Sequence, residues 1–305
     1  MVHPRQTPEN AEVYLDHLAH FLPDMAAAET ALAGLGFTLT PYTVQRNRTV
    51  DGYVPSGTAN RCAMLDNGYL EFLARASDTG LSRQLTAALA RHTGVHLLAM
   101  ATADADAATA RLEQAGFAPD PVVHLTRAVA TPDGAEALAR FSVVRVPPAA
   151  MPEGRIQILT HHTPDLVWQD RWTRHRNGIV SLEAVLLVVA DPSEAAARFG
   201  RFLGRTHAPL SGGRQCLALD RGALVFAPDA RWLGGGAAAA PPWIVGYALG
   251  TADPEASAEV LRAGGARDLV GDLVGDLAGP VLELPAAIGG RVALVHPGQR
   301  PDFAR

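Results

Sequence analysis

All 26 basic residues of this 305-residue chain are arginine. The missing lysine excludes Schiff-base catalysis, a lysine-anchored pyridoxal phosphate and the phosphate-binding lysine of a P-loop. Two cysteines, Cys62 and Cys216, are too few for a disulfide framework or a thiolate zinc site. Cys62 has no activating base in view, which marks it as packing. Imidazole and carboxylate chemistry remain. His92 and His96 are four apart, but Gly94 between them breaks a continuous helix, and both read as surface or linker residues. His161-His162, Trp168 and His175-Arg176-Asn177-Gly178 form a polar stretch that reads as a domain junction or an entrance.

The elements that must position such groups come from a repeat. A short apolar strand, an acidic cap, an alanine-rich helix and a glycine recur four times, over 15–37, 96–117, 182–204 and 244–265. The caps are Asp24, Asp104, Asp191 and Asp253; the closing glycines are Gly36, Gly116, Gly204 and Gly265. Cap to glycine is 12, 12, 13 and 12 residues, about three helical turns. Strand-like runs follow each helix, in the first copy 37–41, 59–67 and 68–74, with Asn67-Gly68 as a hairpin turn. Each unit therefore reads as βαβββ. The run 61–74 lies over 215–228, and 154–162 over 290–298, so the larger repeat is a pair of units present twice. The pairs are placed at 1–168 (units 1–80 and 94–168) and 178–305 (units 178–232 and 242–305). The run 82–94 is expected as a linking helix and 233–242 as a flexible connector.

Hydrophobic residues make up 48% and charged residues 19%, which suits a folded chain with a sizeable core. A net charge of −5 argues against a broad nucleic-acid footprint. No apolar run is long enough for a membrane span, and the first residues lack an apolar leader, so a cytoplasmic location is expected.

Four βαβββ units taken as two pairs resemble the vicinal oxygen chelate superfamily, in its glyoxalase-like branch. The runs that carry the resemblance are LDHLAHFLPDMAAAETALAGLGF and, more sharply, GTANRCAMLDNGYLEFLA. It covers the first pair closely and the second through the internal match. It implies an α+β fold in which each pair curls around a cavity, with metal ligands on the first and last strands of each unit. The first-strand ligand stands seven residues before the cap, which gives His17 and, in the second unit, the apolar Leu97. The last-strand positions are Glu71 and Gln157. In the second pair the same four positions are Ala184, Val225, Gly246 and Ala293, none of them a ligand. Burying an unpaired Glu or His costs free energy, so a copy kept only for packing is expected to lose them.

Strand alternation around Asn67-Gly68 sets Asp66 opposite Tyr69, Met64 opposite Glu71 and Cys62 opposite Leu73. Asn60, Cys62, Met64, Tyr69 and Glu71 then share the cavity face. His161 shares the face of Gln157, but four strand residues span about 13 Å, which puts it at the cavity mouth. Asp16, His20 and Glu183 read as opposite-face or rim residues. Arg61 points away from Glu71.

The resemblance implies a small-molecule enzyme of lyase or isomerase kind, with a divalent ion (Zn, Ni, Mn or Fe) on His17, Glu71 and Gln157. Gln157 cannot take a proton at neutral pH, so Glu71 serves as both ligand and base. Three alternatives stand beside it. A metal-free protein would bind or sequester a small molecule. An extradiol-type dioxygenase would need a second histidine, which a one-residue bulge at His96 would supply. An inactive scaffold would act through partners. A homodimer is left open.

Overall fold

In the computed structural model, residues 5–49, 52–231, 240–269, 279–299 and 304 are described. The first unit is β1 (Val13–Leu22), α1 (Met25–Gly34), β2 (Thr43–Thr49), β3 (Gly52–Met64) and β4 (Tyr69–Arg75). Helix α2 (Gly80–Leu89) leads to β5 (Gly94–Thr102), α3 (Ala105–Gln114), β6 (Val123–Ala130), β7 (Glu136–Arg145) and β8 (Arg155–His161). A short helix, α4 (Pro164–Val167), opens the link to β9 (Ile179–Val188), α5 (Pro192–Leu203), β10 (His207–Pro209), β11 (Gln215–Ala218) and β12 (Ala223–Ala227). The fourth unit is β13 (Trp243–Thr251), α6 (Pro254–Ala263), β14 (Arg267–Asp268), β15 (Val281–Glu283) and β16 (Arg291–Val295). The βαβββ order holds in all four units, and the fold is α+β.

The helices start and stop where the sequence directs. Asp24 accepts from the N–H groups of Ala26 and Ala27, Asp104 from Asp106 and Ala107, Asp191 from Ser193 and Glu194, and Asp253 from Ala256. Gly36, Gly116, Gly204 and Gly265 all have positive φ, the left-handed exit a side chain would strain.

The first sheet runs β2-β3-β4-β1-β5-β8-β7-β6 and the second β10-β11-β12-β9-β13-β16-β15-β14. In each, the two first strands (β1 with β5, β9 with β13) pair antiparallel at the centre, and each lies parallel to its own unit's last strand. The first sheet curls almost into a barrel, and Arg127 Nη1 of β6 donates to the Arg46 carbonyl of β2 at 2.8 Å across the gap. The two sheets clasp each other by reciprocal bridges. The β3–β4 turn residue Asn67 pairs with Ser181 of β9, and Arg221, from the matching turn, pairs with Tyr14 of β1. The outer faces share one core, where Leu18 and Phe72 meet Val185 and Tyr247.

Both central strand pairs carry the same two bulges. The register of β1 on β5 skips Asp16 and His96, and that of β13 on β9 skips the matching Glu183 and Val245, and Val180 besides. A bulge leaves one residue unpaired and turns its side chain out of alternation.

Three expectations need correction. Residues 37–41 form a loop, and the second strand is the more polar β2, which a search for apolar runs passes over. The β3–β4 turn spans four residues, closed by Leu65 N–H to Gly68 O at 3.1 Å, so the register is Met64–Tyr69, Cys62–Glu71 and Asn60–Leu73. That shift by two residues leaves every side chain on its expected face. The linking helix ends at Leu89, before Gly94 enters β5 with positive φ. The connector at 233–242 lies, for 233–239, outside the described residues.

Candidate functional site

The curled first sheet encloses a cavity of about 860 Å³, within the range of small-molecule sites. Two rows of paired strand positions build its wall. One crosses the sheet through Arg145, Gln157, Ala99, His17, Tyr69 and Met64; the other runs through Arg155, Leu97, Ala19, Glu71 and Cys62. The apolar members of these rows, Ala19, Leu97 and Ala99, continue with Phe21 and Leu73 into an apolar floor that rests on Leu85 of α2.

His17 Nε2 stands 3.9 Å from Glu71 Oε2, both side chains almost fully buried. The imidazole lies flat on the Tyr69 ring, centroids 4.3 Å apart. Glu71 Oε1 accepts from Asn60 Nδ2 at 2.6 Å and Gln45 Nε2 at 3.1 Å, which leaves Oε2 turned to the histidine. His17, Asn60, Cys62, Met64, Tyr69, Glu71, Leu97 and Gln157 all line the cavity. Burial first, and Glu71 second, push the Cys62 thiol well up, which keeps it an unreactive wall residue.

Asp16 is the residue that sequence reasoning misplaced. Its bulge turns a fully buried carboxylate inward, where Oδ1 takes a bond from His17 Nδ1 at 2.6 Å and Oδ2 one from His161 Nε2 at 2.9 Å. Burial alone would raise the Asp16 pKa; His161 and His17 outweigh it and hold the group well below the usual carboxylate range. An ionised Asp16 accepts from both rings. The proton of His17 is thereby fixed on Nδ1, and its Nε2 lone pair points toward Glu71. A bulge cannot be seen in strand alternation; the adjacent Asp16-His17 pair is the one signal the sequence held.

Two further expectations fail for related reasons. His161 is not at the mouth: it is buried behind the wall, on Asp16 and under Trp168 at a 4.8 Å ring separation, and it is absent from the cavity lining. The bulge at His96 exists but turns that ring away. His96 Nε2 bonds the His92 carbonyl at 2.9 Å and its ring stacks on Phe21, while Leu97 keeps the cavity position. The second histidine an extradiol site requires is therefore not supplied by His96. Nor are His92 and His96 surface residues, since His92 packs against Trp243 of the second sheet. His20 is buried on the opposite face, bonded to the Ile288 carbonyl and the Tyr247 hydroxyl. Arg61 points away and pairs with Glu29 at 2.9 Å. The stretch after β8 takes both roles read for it: Leu166 and Trp172 line the cavity, while His175 ties Met64 and Thr38 at the junction.

In the second sheet Ala184, Val225 and Ala293 sit in a packed apolar cluster with Trp243 and Val245.

Among the described residues, no group of three or more His, Cys, Asp or Glu assembles for a metal. Two such donors, His17 Nε2 and Glu71 Oε2, do face one another, each braced from behind by Asp16 or by Asn60 and Gln45. Gln157 adds a neutral oxygen that already accepts from Arg145 Nε at 3.2 Å. This donor set fits a weakly held, exchangeable divalent ion with open positions rather than a closed structural site.

The comparisons agree with this architecture. The glyoxalase-like domain family model matches residues 15–203, well over half of the chain. The chain belongs to that family and to the vicinal oxygen chelate superfamily. A hypothetical protein from Staphylococcus aureus superposes with a TM-score of 0.64 at 9% identity, covering 93% of this chain and 99% of that one. The Mn(II)-bound glyoxalase from Novosphingobium aromaticivorans gives 0.55 at 15% identity, covering 97% and 85%. A mutant 4-hydroxymandelate synthase from Streptomyces coelicolor gives 0.54 at 14% identity, covering 96% and 94%. At these identities the likeness is one of fold. No curated protein matches the sequence.

Proposed function

We propose that the chain is a small-molecule enzyme of lyase or isomerase kind that works in the first hollow, with 1–168 as the active half and 178–305 as its structural partner. The observation that carries this reading is the His17–Glu71 pair, 3.9 Å apart in a sizeable cavity, against an apolar set at the matching positions of the other half. His17 and Glu71 would hold a divalent ion, with Gln157 as a weak third donor. Bound there, such an ion would supply Lewis-acid polarisation of a substrate oxygen and so acidify a neighbouring C–H. In this reading Glu71 serves as both ligand and base for that proton, because Gln157 has no basic atom. Asp16 holds His17 in the tautomer that offers Nε2. Asn60 and Gln45 hold the Glu71 carboxylate in place. The apolar floor and Trp172 limit water around the reacting atoms.

A second reading, metal-free binding or sequestration of a small molecule, draws on two features. Leu97 supplies no donor, and the Gln157 oxygen is already engaged by Arg145. Metal analysis of the purified protein separates the readings. Stoichiometric divalent metal that disappears in His17→Ala and Glu71→Ala supports the enzyme. No metal after incubation with excess Mn(II), Ni(II), Zn(II) or Fe(II), in a folded protein, overturns it in favour of the binder.

A further inference from the structure

The chain has a net charge of −5, yet its cavity is lined with cations. Among the described residues Arg46, Arg127, Arg145, Arg155 and Arg171 face it, against two lining carboxylates, Glu71 and the exposed Glu136. Arg127, Arg145 and Arg155 are half-buried. Guanidinium groups withdrawn from water are ordinarily paired with carboxylates. These three are not: among the described residues none is in an ion pair. Their bonds go to neutral acceptors, Arg127 to the Arg46 and Thr126 carbonyls, Arg145 to Gln157 Oε1, and Arg155 to Gln84 Oε1 at 3.5 Å. Strand register fixes where they stand. Arg145 is opposite Gln157, Arg155 is two residues from Gln157 on the same face of β8, and Arg127 is on the β6 edge that closes the barrel.

The electrostatics agree. Glu71 acts on all three from a distance, and the exposed Asp120 acts on Arg145 as well. Among the described residues neither carboxylate forms an ion pair with any of the three guanidiniums. A concave wall of uncompensated positive charge concentrates anions and focuses the field on them, and guanidinium geometry matches carboxylate or phosphate oxygens two at a time.

We propose that Arg127, Arg145 and Arg155 form an oxyanion subsite, which holds the carboxylate or phosphate of an anionic small molecule and turns the rest of it toward His17 and Glu71. This rests on the reading of the first hollow as the ligand site, and it names the substrate class as anionic. The apolar floor takes the uncharged part of the molecule.

The test is calorimetric titration of the full chain, stripped of metal with EDTA, with phenyl phosphate, benzoate and neutral benzamide. Either anion is expected to bind about tenfold tighter than benzamide, since a charged hydrogen bond is worth at least that much. The stronger of the two identifies the oxyanion as phosphate or carboxylate. Arg127→Met and Arg145→Met are each expected to weaken the anion about tenfold while leaving benzamide unchanged, and added salt to weaken the anion alone. Glu71→Gln, which removes the buried opposing charge that acts on all three arginines, is expected to strengthen anion binding. The proposal is overturned if benzamide binds as well as the anions, if folded arginine variants bind anions like the parent chain, or if neither anion binds. Retained anion binding in a protein that takes up no metal sinks the enzyme reading alone. Metal uptake at His17 and Glu71 without anion binding sinks the subsite alone.

Discussion

Asp16 and His17 are neighbours on one strand, yet the Asp16 carboxylate bonds the His17 ring at 2.6 Å, because the bulge at Asp16 breaks the alternation that would set the two on opposite faces. The second half keeps that bulge at Glu183 while its partner position has become Ala184. There the carboxylate turns to the Ser181 hydroxyl and the Gly298 N–H instead. The backbone device survives in both halves; only the first retains an imidazole for it to orient.

Asp16→Asn removes the charge that fixes the His17 proton on Nδ1. We expect divalent-metal affinity to fall by about 10–100-fold, the cost typical of losing such an outer carboxylate. The fold should be kept. Nitrogen NMR shifts of the imidazole check the cause, since His17 should lose its uniform Nδ1–H form in the variant. An unchanged tautomer with unchanged affinity would remove Asp16 from the account.

The junction between the sheets should be acid-labile. Burial is the main cause that lowers the His20 and His96 pKa values to about 4 each, from an ordinary value near 6.5. Below that ordinary value the unfolded chain takes up protons that the folded chain refuses. Stability is therefore full above about pH 6.5 and falls as pH drops toward 4, by a few kcal/mol in all. Asp16, with its depressed pKa, adds a further loss below the ordinary carboxylate range as protonation weakens its acceptance of bonds from His17 and His161. Urea midpoints between pH 7.5 and 4.5 measure this. His20→Gln should flatten the upper part of the slope, because its amide carries no titrating charge.

The filled second hollow should not accept a carboxylate. Val225 stands where Glu71 does and is fully buried among Ala184, Trp243 and Ala293. We expect Val225→Glu to lower unfolding free energy by about 3 kcal/mol or more, the cost of an unpaired buried charge. Chemical denaturation measures it. A neutral outcome would mean that the second sheet also has room for a ligand.

Much of this was legible in the chain. Four aspartate caps and four closing glycines give the unit length, because cap and exit chemistry are local. His17, Glu71 and Gln157 were given by the family resemblance, and Asn60 and Tyr69 follow from Glu71 because strand faces alternate with a fixed period of two. The two-residue slip in the β3–β4 pairing did no harm for the same reason. The bulge at Asp16 escaped the sequence: it depends on how β1 and β5 pair, which neither strand encodes alone, and it set the places of Asp16 and His161, while the bulge weighed at His96 turned its ring the other way. The arginine wall was hidden as well. Arg127, Arg145 and Arg155 lie on separate strands, and only closure of the sheet brings them to one cavity.

The most direct measurement is paramagnetic broadening by Mn(II) in the histidine-labelled full chain. If His17 and Glu71 are the working centre, substoichiometric Mn(II) broadens the His17 ring signals most and those of His207 in the second sheet least, and loses this selectivity in Glu71→Gln. Broadening that begins at another histidine, or that is indifferent to Glu71, contradicts the assignment.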